Sequence, residues 1–147
     1  MKASTMPQFG VETDEQYFEK VVRPSYEDFV SNNADAGKAM LAIIASFHQY
    51  EWMTDGEKFE LERFREKFGD QNEVARALDL ARNLANGAKH FKLRNGVSTC
   101  QQSGFSSGFS NGFAMPLVVI DSEGTETSVN TLLRTLMDFW ETQFANK

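Results

Sequence analysis

Residues 32–52, NNADAGKAMLAIIASFHQYEW, hold the stretch whose reading decides the fold. Ala36, Met40, Ile43, Phe47 and Tyr50 recur at intervals of three and four, the repeat that lines one side of an α-helix. Leu41, Ile44 and Trp52 widen that apolar arc, so the spacing predicts a central helix touching neighbours on two sides. Asn32 or Asn33 is placed to cap it, because a short side-chain oxygen accepts from the unpaired N–H groups of a first helical turn. Thr54-Asp55-Gly56 then reads as a turn. The longest apolar run, residues 39–47, is interrupted by Ser46 and is about half the length that a membrane-spanning helix needs. It reads as a buried helix, and no membrane association is expected.

The pattern continues on both sides of this helix. Upstream, Thr13 and Gln16 have the spacing of a capping box, and Phe18, Val21, Val22, Tyr26, Phe29 and Val30 follow at helical intervals. Pro24 lies inside that pattern, so the first helix is either kinked there or broken at Arg23 and restarted with proline in its first turn. Downstream, residues 57–68 are charge-rich with Phe59, Leu61, Phe64 and Phe68 as apolar points, and Gly69 stops them. A further helix is predicted over residues 71–91, opened by Asp70 and Glu73, with Val74, Ala77, Leu78, Ala81, Leu84, Ala85 and Ala88 inward.

Beyond Asn95-Gly96 the character changes. Gly104-Phe105, Gly108-Phe109 and Gly112-Phe113 repeat every four residues, and no helix tolerates that density of glycine. Residues 116–121 are apolar and β-branched, Ser122-Glu123-Gly124 is a turn, and residues 125–129 return, which predicts a β-hairpin. A last helix over residues 130–144 turns Leu132, Leu133, Leu136, Met137, Trp140 and Phe144 inward. The fold class expected is mainly α: a bundle of four to five helices with a β-hairpin inserted before the C-terminal helix.

Length and composition agree with a single domain over residues 1–147, with residues 1–10 as a flexible N-terminus and 95–129 as the Gly/Phe-rich loop and hairpin. A chain of 147 residues buries roughly two-thirds of its unfolded surface. Its 41% hydrophobic content and 13 phenylalanines supply the core. Cys100 is the only cysteine and has no partner within the chain, and residues 1–10 lack the features of a secretory signal. A cytoplasmic location is therefore expected.

The net charge of −6 argues against indiscriminate binding of nucleic acid, but the charge is unevenly spread. Between residues 74 and 94 stand Arg76, Arg82, Lys89, Lys92 and Arg94 against one acid, Asp79. On a helical wheel Arg82, Asn86 and His90 succeed one another every four residues, with Asp79 and Asn83 on the same side. Such a ridge suits one phosphate or carboxylate group. It equally suits a solvated face whose Lys89 and His90 complement the negative end of the helix dipole.

Arg82-Asn83, the following Asn86-Gly87-Ala88-Lys89 and His90, ahead of a β-hairpin and a helix bearing Phe139-Trp140, resemble the HEPN superfamily of helical nucleotide-binding domains. The likeness extends to uncharacterised bacterial and prophage proteins and covers about half of the chain. It implies a homodimer in which arginine and histidine from two protomers cleave RNA without metal, in a defence or toxin–antitoxin setting. Carried over, Arg82 and His90 would be the catalytic pair, with His90 as acid or base and Arg82 as phosphate clamp. Asn83, Asn86 and Lys89 would hold the substrate. Gly87 is expected to let a second backbone approach.

Other chemistries find less support. Two histidines and one cysteine are too few for an ordinary zinc site, so neither metal nor cofactor is expected. His48 and Glu51 share a helix face in the reverse order of a di-iron motif, and His48, beside Phe47 and Tyr50, reads as a histidine at the core's edge. No phosphate-binding loop, dinucleotide fingerprint or nucleophile elbow is present. The alternative to an RNA-directed protein is a non-catalytic interaction module whose Phe105, Phe109 and Phe113 anchor a protein partner.

Overall fold

The computed structural model describes residues 8–90, 92–101 and 116–147. Phe105, Phe109 and Phe113, the end of the 71–91 helix at Phe91, and residues 1–7 lie outside the described residues. The described residues form a mainly helical bundle with a small antiparallel sheet before the last helix.

Chain order begins with α1 (Asp14–Tyr17), a π-helical turn (Phe18–Val22) and α2 (Arg23–Ser31), which run on without a break. The capping box forms: Thr13 Oγ1 accepts from the Gln16 N–H at 3.1 Å, and the Thr13 N–H donates to Gln16 Oε1 at 3.2 Å. Pro24 sits in the first turn of α2. The turn ahead of it widens instead of breaking, with the Arg23 N–H donating back five residues to the Phe18 carbonyl. A π-turn absorbs the missing donor and ring that would otherwise disrupt the i to i−4 ladder.

Helix α3 (Ala36–Met53) is central, as expected, but differs in cap and rotation. Asp35, not Asn32 or Asn33, caps it by accepting from the Lys38 N–H at 2.9 Å. Its buried side carries Ala39, Ala42, Ile43, Ser46, Phe47, Gln49 and Tyr50, whereas Ala36, Met40 and Leu41 face outward. Polar bonds fix this rotation: the Trp140 Nε1–H donates to Ser46 Oγ at 3.2 Å and Gln49 Nε2 to the Asp14 carbonyl at 3.0 Å.

Residues 57–60 belong to neither helix nor strand, with Glu60 extended, and α4 is confined to Leu61–Phe68, ending at Gly69 with φ +82°. Helix α5 (Asn72–His90) packs against α3 and against α6 (Val129–Ala145). It buries Ala75 and Leu80 more deeply than the expected Val74, Leu84 and Ala88, which are half-buried. One hydrophobic cluster joins these helices, with Tyr50, Phe59, Phe64, Phe68, Phe139 and Trp140 in ring-to-ring contact.

The expected hairpin is present as β2 (Leu117–Ile120) and β3 (Glu126–Ser128), joined through Asp121, whose carboxylate accepts from the N–H groups of Glu123 and Thr125. A third strand, β1 (Ser98–Gln101), pairs antiparallel with β2 in the register Thr99 to Val119. Arg76 ties this sheet to α5, donating to Thr127 Oγ1 at 2.8 Å and Asp121 at 2.9 Å. Ser128 closes β3 and caps α6, accepting from the Thr131 N–H.

Candidate nucleic-acid interface

The C-terminal half of α5 carries the residues singled out above, and its neighbours sort them into different surroundings. Arg82 turns toward the segment before α4. It is ion-paired with Asp79, donates to the Phe59 carbonyl at 3.3 Å, and lies 5.4 Å from the centre of the Phe59 ring. Its guanidinium is thus held by three contacts while remaining about one-third exposed. Asn83, expected to meet substrate, is buried: its Nδ2 donates to the Asp79 carbonyl at 2.9 Å and its Oδ1 accepts from Asn95 at 2.7 Å. Its part is to hold the loop that follows the helix.

That loop explains Gly87. After His90 the chain folds back over the helix, and a Cβ at Gly87 would stand 2.6 Å from Leu93 Cδ2 and 3.3 Å from the Lys92 carbonyl. The close approach anticipated at this glycine is made by the chain's own residues 92–93. Asn95 and Gly96, with φ of +60° and +73°, then turn the chain into β1. A Cβ at Gly96 would meet Ser122 Cβ at 2.8 Å, so the turn is seated against the β2–β3 connection.

The fold-back creates a hollow of about 190 Å³ bordered by Asn83, Asn86, Gly87, His90, Lys92, Arg94 and Asn95, with no carboxylate among them. The negative end of the helix dipole amounts to about half a charge. Lys92 and Arg94 exceed it, leaving a surplus of about +1.5 before His90 is counted. Asn86, Lys89 and His90 are exposed.

On the other side of Asn86 lies a broader cleft of about 800 Å³ between α3, residues 58–60 and α5. Ile44, Phe47, Phe59 and Ala85 give it an apolar floor, while Lys58, Arg82 and Lys89 supply cations beside Glu51 and Glu60, and His48 joins the rim. His48 is half-exposed, next to the Phe47 ring and 3.9 Å from Glu51, so it stands at the core's edge on a solvent-facing cleft. Beside it, bordering a hollow that His48 and Glu51 also line, Tyr17 stacks on Trp52 at 5.0 Å, and burial together with Glu51 pushes its phenol up to about 12.

Arg82 and His90 therefore border different concavities, Asn86 borders both, and Lys89 joins Arg82. Arg82 and His90 lie eight positions apart along α5, or about 12 Å of helix axis. Within the chain, among the described residues, they line no common hollow. The group that does share a hollow with His90 is Arg94, which a helical wheel ending at residue 91 leaves out. Among the described residues no cluster of three or more His, Cys, Asp or Glu side chains is placed to hold a metal ion, and no helix is long and apolar enough to cross a membrane.

No family model matches the chain, and no curated protein or solved structure matches it.

Proposed function

We propose that the protein binds single-stranded RNA across α5 at Asn86, with a phosphate in the hollow of His90, Lys92 and Arg94 and the neighbouring base toward the Phe47–Phe59 side. The observation that carries this reading is the carboxylate-free, cation-bordered hollow formed where residues 92–95 fold back on the helix. Phosphate supplies most of the affinity in such complexes, and an apolar floor beside it receives a base without reading its identity.

On the same reading the protein is a HEPN-like, metal-independent ribonuclease. His90 takes the proton of the ribose 2′-hydroxyl, the 2′-oxygen attacks phosphorus, and the 5′-oxygen leaves with a proton from a second acid. Lys92 and Arg94 bear the charge that develops on the phosphate, joined by Arg82 of the other protomer. A homodimer supplies the second histidine and that arginine. The bacterial or prophage setting, in defence or as a toxin, follows from the resemblance.

Fluorescence anisotropy with a labelled single-stranded RNA tests binding, and gel analysis in EDTA tests cleavage. Two or three phosphate contacts predict a log–log salt slope of about −1.4 to −2.1. Arg94→Gln and Lys92→Gln should each weaken binding and flatten that slope by about 0.7. Cleavage should leave a 2′,3′-cyclic phosphate and vanish in His90→Ala and Arg82→Ala proteins that still fold. Absence of RNA binding, or binding indifferent to Arg94 and Lys92, refutes the reading. Binding without cleavage by a protein that light scattering finds strictly monomeric restricts it to an RNA-binding role.

A further inference from the structure

A third concavity, on the opposite side of Gly87 from the basic hollow, has a different chemistry. About 500 Å³ opens between α3, the end of α5 and the β1–β2 pair. Its size falls in the range of small-molecule sites, which are concave, mostly apolar and fixed by a few polar groups. Small residues make the space: Ala36, Ala39, Gly87 and Ala88 stand where larger side chains would close it. Its inner wall includes Ala39, Val119 and Val129, all of them buried. The concavity is open to solvent along Ala36, Met40 and β1 and has buried residues at its floor, so it is not a flat face of the kind a protein partner covers. Among the described residues Lys92 is the single charged one on its wall.

We propose that this cavity binds a single-chain amphiphile with an anionic head, the apolar tail running inward between α3 and β2 and the head paired with Lys92. The mostly apolar wall disfavours a polar metabolite, since a buried polar group without a partner is costly. Lys92, with no acid beside it among the described residues of the wall, sets the sign of the head. The inference is independent of RNA binding, although Lys92 borders both concavities.

Cys100 lines the cavity and is the chain's only cysteine, so its alkylation rate reports occupancy. The probe is dodecanoate below its critical micelle concentration, followed by calorimetry and by protection of Cys100 from N-ethylmaleimide. Saturation should slow alkylation at least tenfold. Lys92→Gln should weaken dodecanoate about two- to fivefold, the range of a solvent-exposed ion pair, and leave dodecan-1-ol unchanged. Thr99→Phe and Ala36→Phe fill the cavity from opposite walls at exposed positions, and either folded variant should abolish binding while leaving RNA affinity intact.

Failure of dodecanoate to bind overturns the proposal, as does binding unaltered in both filled variants. Binding to phosphatidylglycerol vesicles without binding to free dodecanoate also overturns it. So does a Cys100 that is already protected without ligand, whether in a monomer or in a concentration-dependent dimer, because the cavity is then filled by the protein itself.

Discussion

Replacing Gly87 by alanine opposes two effects of known sign. In a helix interior, glycine to alanine stabilises by about 1 kcal/mol, because alanine loses less backbone entropy. At this position the new methyl lands 2.6 Å from Leu93 Cδ2, with Leu93 Cγ and the Lys92 carbonyl both at 3.3 Å. Relieving such overpacking costs about 1–3 kcal/mol. The sum predicts a loss of about 0–2 kcal/mol, read as a lower urea midpoint at unchanged slope. In a Leu93→Ala background the obstructing side chain is gone, and the same substitution should become stabilising by up to about 1 kcal/mol. That reversal separates an intrachain contact from a dimer contact. Were Gly87 a seat for a second subunit, the substitution would lower the association constant and ignore residue 93. Stabilisation by about 1 kcal/mol in the otherwise unaltered protein refutes the fold-back reasoning.

Trp140 is fully buried and donates to Ser46, so Trp140→Ala should cost about 3–5 kcal/mol in chemical denaturation; a loss under about 1 kcal/mol would put the ring elsewhere. Asp121 is held below the ordinary carboxylate range by the hydrogen bond from Arg76, with further help from the N–H groups of Thr125 and Glu123. A lowered folded value means that this contribution is present above the unfolded carboxylate pKa and disappears as pH falls through the folded one. Arg76→Gln should therefore raise the Asp121 midpoint in an NMR titration and narrow its stability deficit toward acid pH. An unmoved midpoint would show that the backbone donors alone hold the carboxylate.

The elements that the sequence discloses are those fixed locally. Thr13 and Gln16 close a capping box four residues wide, Gly69 stops α4, and the Leu132–Trp140 stripe turns α6 inward, all as the spacing predicts. The rotation of α3 is not local. Hydrophobicity favours Met40 and Leu41 as inward positions, yet Ser46 and Gln49 are buried because Trp140 and the Asp14 carbonyl need partners there. Ala39 and Ala42, easily passed over as weakly apolar, let α3 come close to its neighbours. Strand β1 has no inward alternation, since Ser98, Thr99, Cys100 and Gln101 are all exposed. It is a strand because β2 presents an open edge, and a partner distant in sequence leaves no periodic trace.

The candidate site divides for a related reason. A helical wheel ranks Arg82, Asn83, Asn86 and His90 by angle alone, as though each faced solvent. What each one meets depends on the neighbours at its height along α5. Phe59 and Asp79 take Arg82, Asn95 takes Asn83, and residues 92–94 cover the side at Gly87. Gly87, amid good helix formers, and Asn95-Gly96, past the end of α5, are the signal: Gly87 marks where chain crosses chain, and Asn95-Gly96 marks the left-handed turn that follows. Read together, they imply that the segment just past the helix lies against the helix, which places Arg94 and Lys92 beside His90. The basic hollow is thus a product of the fold-back rather than of the ridge. Whatever disturbs Asn83, Gly87 or Leu93 should therefore act on phosphate binding through the position of Arg94, without touching RNA.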